Sequence, residues 1–138
     1  MDSSWADQRR QNALAQAQRL REREAAESAQ AREYLEKFIS AARRTGVGPE
    51  QLYVSDGNGK RAKTPLQGWY LKADRSVAVA EDGQFYILTA PLSLAQRLRG
   101  VNPEASAPTL ILGKGGRDGE QIDLTEALSV RIPTWAEG

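Results

Sequence analysis

The N-terminal part of the chain is free of the residues that interrupt helices. Residues 5–45 contain no glycine or proline and consist largely of Ala, Gln, Glu, Arg and Leu, all of which favour helix. The run therefore predicts one long helix, ended by Gly46 and by Pro49 shortly after it. At ~1.5 Å per residue, a helix over residues 5–44 is about 60 Å long. Because a domain of this size is narrower, part of the helix must project or bind something.

The two halves of this helix differ in apolar content. In the second half, apolar side chains recur at helical spacing and predict a stripe that packs on the rest of the chain: Ala31, Tyr34, Leu35, Phe38, Ile39 and Ala42. In the first half, the large apolar residues are Trp5, Leu14 and Leu20, too few to bury against a core of their own. A coiled-coil register with spacings of three and four is weak, because only its later members are convincingly apolar. Its members are Arg10, Leu14, Ala17, Arg21, Glu24, Ser28, Ala31, Leu35 and Phe38. Two interpretations stay open for residues 5–30: an oligomerising or partner-binding helix, and a solvated arm supported by surface ion pairs.

The remainder of the chain has the pattern of an antiparallel sheet. The Asp82-Gly83 pair predicts a tight hairpin, and it joins two of three strands of a meander, at 69–71, 76–80 and 84–89. Before the meander, the pattern favours a turn or strand at 50–54 and a loop at 55–65. After it, the pattern favours strands at 109–112 and 129–132. Residues 121–124 are either a strand or the start of a short helix through 128. A short helix is predicted over residues 91–98, with Leu94, Ala95 and Leu98 directed toward the sheet.

These elements predict an α+β fold. The long N-terminal α-helix packs by its C-terminal half on an antiparallel sheet of about five strands, with one or two short helices. A chain of 138 residues has room for one ordinary domain. We expect a projecting helical arm at 1–30, a single compact domain at 31–134 and a tail at 135–138.

Composition excludes several chemistries. The chain has no cysteine and no histidine, which rules out a disulfide framework, a Cys/His zinc site and a Ser-His-Asp triad. No set of carboxylates or nucleophiles converges in the pattern, so we expect a protein without catalytic activity, cofactor or metal. Neither a signal-peptide pattern nor an apolar run of about 20 residues is present. We therefore expect a cytoplasmic protein with no membrane partner.

Charge and glycine content leave an anion-binding alternative. The 19 basic and 18 acidic residues nearly cancel, which argues against a nucleic-acid partner. Lys60, Arg61 and Lys63 nevertheless cluster ahead of Trp69 and Tyr70, a combination that nucleic-acid-binding sheets use. The glycine-rich segment 113–119 is typical of a hairpin turn and lacks the Walker and dinucleotide patterns. Its backbone amides and basic side chains are candidate anion contacts: Lys114, Gly115, Gly116 and Arg117.

The strand at 84–89 is apolar on both faces. Phe85 and Ile87 lie on one face, and Tyr86 and Leu88 on the other. If the long helix covers the first face, the second needs the 92–98 helix, the arm of a second copy or a partner to cover it. The leading hypothesis is thus a non-catalytic protein-interaction or homo-oligomeric assembly module acting through five residues: Trp5, Leu14, Leu20, Tyr86 and Leu88.

Overall fold

The computed structural model describes residues 2–113 and 121–137 and confirms the α+β class. The described chain contains three helices and six strands, in this order: α1 (Asp2–Thr45), β1 (Glu50–Ser55), β2 (Arg61–Tyr70), β3 (Val77–Ala80), β4 (Phe85–Ile87), α2 (Leu94–Arg99), β5 (Ile111–Leu112), β6 (Ile122–Asp123) and α3 (Leu124–Arg131). Strands β1 to β4 form one sheet, and β5 pairs with β6 in a second, two-stranded sheet.

Helix α1 is the long helix that the sequence predicts, and Gly46 with its φ of 80° ends it. Only its second half enters the core, where the predicted stripe is fully buried at Ala31, Leu35, Phe38 and Ala42. The ring of Phe38 meets the ring of Trp69 edge-on at 6.4 Å. The indole N–H of Trp69 donates to the carbonyl of Val47 just beyond the helix, at 2.9 Å. These contacts join the helix to strand β2.

The predicted meander is present as β2, β3 and β4, with Gly83 at φ 83° in the hairpin turn. Strand β2 begins at Arg61, so the expected loop at 55–65 is wrong in its second half. Polar and small residues there alternate between solvent and interior and pair with β1. The pairing is irregular because three residues of β2 lie opposite one of β1, and Pro65, which has no N–H to donate, lies within that irregularity.

The four-stranded sheet curls until its two edges meet. Strands β1 and β4 are at opposite edges. The Ser55 N–H nevertheless donates to the Leu88 carbonyl at 2.9 Å, and the Ser55 carbonyl accepts from the Ala90 N–H at 3.0 Å. These bonds close the sheet into a small barrel-like layer. A concave interior forms inside the curl, and α1 packs on the outside.

The interior of the curl forms a second apolar core and corrects one expectation. Tyr86 and Leu88 are buried there among Leu52, Val54 and Tyr70, all from the same chain. They do not offer an open face for a partner, because the curled sheet encloses both side chains. Burial raises the pKa of the Tyr86 hydroxyl, and the hydrogen bond that it donates to Asp82 at 3.0 Å acts in the same direction.

The C-terminal part covers the core between α1 and the sheet, here called the outer core to distinguish it from the inner core inside the curl. The expected strand at 129–132 is wrong: helix α3 runs to Arg131, since Leu124, Ala127 and Leu128 recur at helical spacing and all three are buried. The expected sheet of about five strands is four strands, because β5 pairs only with β6. Trp135, expected in a tail, is buried against Tyr34 of α1 with ring centroids 5.5 Å apart.

Helix α2 is shorter than predicted, and its two leucines face solvent instead of the sheet. Leu94 and Leu98, expected to face the sheet, are 62% and 78% exposed. Ser93 and Gln96 form a capping box at its start, and the N–H of Val101 just beyond it donates to the Lys63 carbonyl at 2.9 Å. The flanking residues Leu92 and Val101 cover the inner core instead. The anchored ends thus leave the leucine pair in solvent.

Glycine at position 68 is required by the close approach of β2 and β3. A Cβ added there would lie 2.2 Å from the Val79 carbonyl oxygen and 2.6 Å from the Ala80 Cα. Both are backbone atoms of the neighbouring strand, so neither can rotate away. We predict that Gly68→Ala lowers the free energy of unfolding by roughly 2–3 kcal/mol, measured by urea denaturation.

The matched control for this prediction is Gly48→Ala, where nothing lies within 4 Å of the added Cβ. It should change the free energy of unfolding by less than ~0.5 kcal/mol. Equal effects of the two substitutions would show that strand contact is not what requires glycine at 68.

Candidate functional site

The N-terminal half of α1 projects from the domain, and residues 2–26 are here called the arm. Its large apolar side chains are open to solvent: Trp5 is 63% exposed, Leu14 69% and Leu20 50%. In the part of the chain that the structure describes, the arm has no buried residue, and burial begins at Ala31. At ~1.5 Å per residue the arm extends about 37 Å.

Two hydrogen bonds anchor the arm where it meets the domain. The Glu27 carboxylate accepts from the Leu110 N–H at 2.9 Å, and the Ser28 hydroxyl donates to the Pro108 carbonyl at 3.0 Å. Sequence reasoning missed both, because their partners are separated by 83 and 80 positions along the chain. They set the direction in which the arm leaves the domain.

The exposed apolar residues of the arm lie on more than one side of the helix. Four residues continue the line of the buried stripe toward the N-terminus, together with the charged Glu24, and we call these four the arm seam: Ala6, Ala13, Ala17 and Leu20. Trp5 and Leu14 are nine positions apart, so at ~100° per residue they lie on opposite faces of the helix, each about a quarter turn from the seam. Beside the seam, the Arg9 guanidinium lies 4.2 Å from the centre of the Trp5 ring.

The predicted cluster of Lys60, Arg61 and Lys63 beside Trp69 and Tyr70 is present only in part. Trp69 is buried in the outer core and unavailable to a ligand. Arg61 instead lies over the ring of Tyr53, 4.0 Å from its centre, and Arg75 lies 5.6 Å from the centre of the Tyr70 ring. Sequence reasoning missed Tyr53 and Arg75, because only the pairing of β1 with β2 and the turn before β3 bring them to Arg61.

These side chains line a cleft of about 210 Å³, here called the cationic cleft, whose walls are Tyr53, Ser55, Gly59, Lys60, Arg61, Tyr70, Asp74 and Arg75. The Tyr70 hydroxyl accepts a hydrogen bond from the Tyr53 N–H at 2.8 Å, which ties its two aromatic walls together. Lys63 is paired with Tyr53 in the register of β1 and β2 and does not line the cleft.

The carboxylates near the cleft are engaged in holding its loops. Asp56 accepts from the N–H groups of Asn58 and Lys60 at 2.7 and 3.1 Å, and the Asn58 bond is the main cause of its lowered pKa. Partial burial opposes the ionisation of Asp74. Hydrogen bonds from Ser76 and the charge of Lys72 at 3.4 Å outweigh that burial and lower the Asp74 pKa.

The remaining candidate positions lie in the glycine-rich segment 113–119. Lys114, Gly115, Gly116 and Arg117 lie outside the described residues. Within residues 2–113 and 121–137, no three carboxylates are grouped closely enough to hold a metal ion. Among the same residues, none of the helices combines the length and hydropathy that a membrane span requires.

Comparison with known proteins finds no family model that matches, and neither a curated protein nor a solved structure is significantly similar. The arm and the cationic cleft are therefore the two features of the chain that indicate a function.

The anchor at the base of the arm gives a first prediction for these sites. Glu27→Ala leaves the Leu110 N–H without its acceptor, so we predict a loss of ~1–2 kcal/mol in the free energy of unfolding. Hydrogen exchange at the Leu110 amide should accelerate with it. Glu36→Ala is the control, since Glu36 is exposed on the same helix and forms no side-chain hydrogen bond with the described residues. Unchanged exchange at Leu110 would contradict the anchor.

The lowered pKa of Asp74 predicts an acid dependence of stability. The folded state favours the ionised carboxylate, so its stabilising contribution is present above the ordinary pKa of 3.8 and is lost as the pH falls through the lower folded value. We expect Asp74→Asn to be less stable than the wild type near neutral pH and the gap to close in acid. Denaturation midpoints measured from neutral to acidic pH test this, and parallel curves would refute it.

Proposed function

We propose that the protein is a non-catalytic assembly module that self-associates through its arm. The supporting observation is that the arm extends beyond the domain, with Trp5, Leu14 and Leu20 half or more exposed. In proteins most helical stability comes from packing of an amphipathic face rather than from helix propensity, and the arm has no buried residue among positions 4–26. The occupant that we assign to the arm seam is the arm of a second copy of this chain.

Helix dipoles and small side chains favour an antiparallel arrangement of the two arms. A parallel pair in register would place each arginine of the arm beside its own copy, and like charges at such positions repel. An antiparallel pair centred on residue 15 leaves one such pair level, Arg9 with Arg21 of the second copy, and places Asp7, which pairs with Arg10 of its own helix at 3.1 Å, level with Arg23. It also places Ala13 level with Ala17 of the second copy, where small side chains permit close approach of the two helices. The opposed helix dipoles attract each other.

The length of the arm fits this arrangement. With the pair centred on residue 15, position 2 of each helix lies level with Ser28 of the second copy. Ser28 is one of the two residues that anchor the arm to its domain. Each arm is then covered along its whole length, and Trp5 and Leu14 extend the contact on the two sides of the seam.

The solution mass of the full chain tests the proposal. We expect light scattering to give twice the mass of one chain, and Leu20→Glu to give a monomer because it places a charge in the arm seam. Leu98→Glu is the matched control, a leucine of comparable exposure on α2 outside the arm. A monomeric wild type, or a monomer produced equally by the Leu98 variant, would overturn self-association through the arm.

The antiparallel register has its own test, which uses the absence of cysteine in the chain. Ala13→Cys and Ala17→Cys are made in separate chains, mixed and oxidised. The register predicts that the mixed disulfide dimer predominates over either homodimer. Predominance of the homodimers would favour parallel arms and would contradict the arrangement while leaving self-association standing.

A further inference from the structure

Three cationic side chains converge on the cationic cleft. Lys60, Arg61 and Arg75 all line it, and they reach it from the end of the β1–β2 loop, the start of β2 and the turn before β3. Two separate segments of the chain, residues 60–61 and the turn at Arg75, thus deliver positive charge to one cavity. Neither the arm nor the assembly function uses this cleft.

The local carboxylates do not satisfy these cations. Asp74, which also lines the cleft, is paired with Lys72, and Asp56 accepts from backbone N–H groups of its own loop and interacts with Lys60 only through charge, without an ion-pair contact. Among the described residues, Lys60, Arg61 and Arg75 form no ion pair. The cleft is therefore electropositive, and an anion entering it would gain charge-assisted hydrogen bonds without displacing an existing salt bridge.

Each of the two arginines lies near an aromatic ring. The Arg61 guanidinium lies on the face of Tyr53, and that of Arg75 lies farther from the Tyr70 ring. Guanidinium N–H donors point outward in the plane of the group, so a ring on its face leaves the donor edge available. That edge matches two oxygens of a phosphate, and stacking reduces the conformational entropy that binding would cost.

Arg75 also has an unfavourable backbone conformation. Its φ is 62°, and it is the one residue other than glycine with a positive φ in the described chain. Its N–H donates to the Lys72 carbonyl at 3.0 Å, which closes the turn before β3. Glycine or asparagine would adopt this conformation at lower cost, and strain of this kind concentrates at functional sites. The strain at Arg75 therefore supports a functional role for this turn.

We propose that the cationic cleft binds a phosphate monoester, with Arg61 and Arg75 as the bidentate donors and Lys60 as the third positive charge. The volume of about 210 Å³ is roughly that of seven liquid waters. It admits one phosphoryl group with part of its ester substituent. The shared chemistry is the phosphoryl dianion, whether it comes from free phosphate or from a sugar phosphate.

The test is an amide chemical-shift titration of the full chain at low ionic strength, with inorganic phosphate and with ribose 5-phosphate as separate probes. We expect saturable shifts at Gly59, Lys60 and Arg75. Arg61→Gln should weaken binding about tenfold because it removes one charge-assisted bidentate contact. Equal affinity for the two probes would show that the phosphoryl group alone determines binding. Tighter binding of ribose 5-phosphate would show that the ester substituent contributes as well. Both results support the proposal.

Arg75→Gly separates binding from folding. Glycine relieves the strain at φ 62°, so the urea midpoint should rise or stay unchanged while phosphate affinity falls. Lys37→Gln is the control, an exposed cation on α1 that should leave affinity unaltered. The absence of saturable shifts with both probes, or equal affinity in the wild type and both arginine variants, would overturn the proposal.

Discussion

The packing of the second half of α1 on the outer face of the meander is the contact on which the rest of the structure depends. Through Phe38 and Trp69 it joins the helix to the central strand, and through Tyr34 it reaches Trp135 near the C-terminus. Because a helix is rigid, burying residues 31–42 also determines where the other half points. The projecting arm is thus a mechanical consequence of the core.

The curl of the sheet is the second feature on which the structure of the domain depends. By bringing Ser55 to the chain after β4, it provides the domain with an inner core as well as an outer one. The pairing of β1 with β2, together with the turn before β3, places Tyr53 and Arg61 near Tyr70 and Arg75. The inner core therefore depends on the closure of the sheet, the cationic cleft on the β1–β2 pairing, and the arm on the outer core.

The long helix, its buried stripe and the Asp82-Gly83 hairpin were predictable because each depends on residues close together in sequence. Strand β2 was not, since its polar first half becomes a strand only by pairing with β1. The exposure of Leu94 and Leu98 was not predictable either, because residues that flank α2, and not the helix itself, cover the inner core. Tyr86 and Leu88 were correctly placed on one face of their strand, but whether that face was open depended on the curl.

The sequence by itself determined the helix, the hairpin and the chemistries that a chain without cysteine and histidine lacks, because composition and local spacing act over a few residues. Tertiary structure alone decided that Glu27 and Ser28 anchor the arm to a segment some 80 residues away. It alone brought Arg61 and Arg75 to one cleft. Such contacts depend on how strands pair and how the sheet bends, and distant backbone hydrogen bonds leave no periodic signal in the sequence.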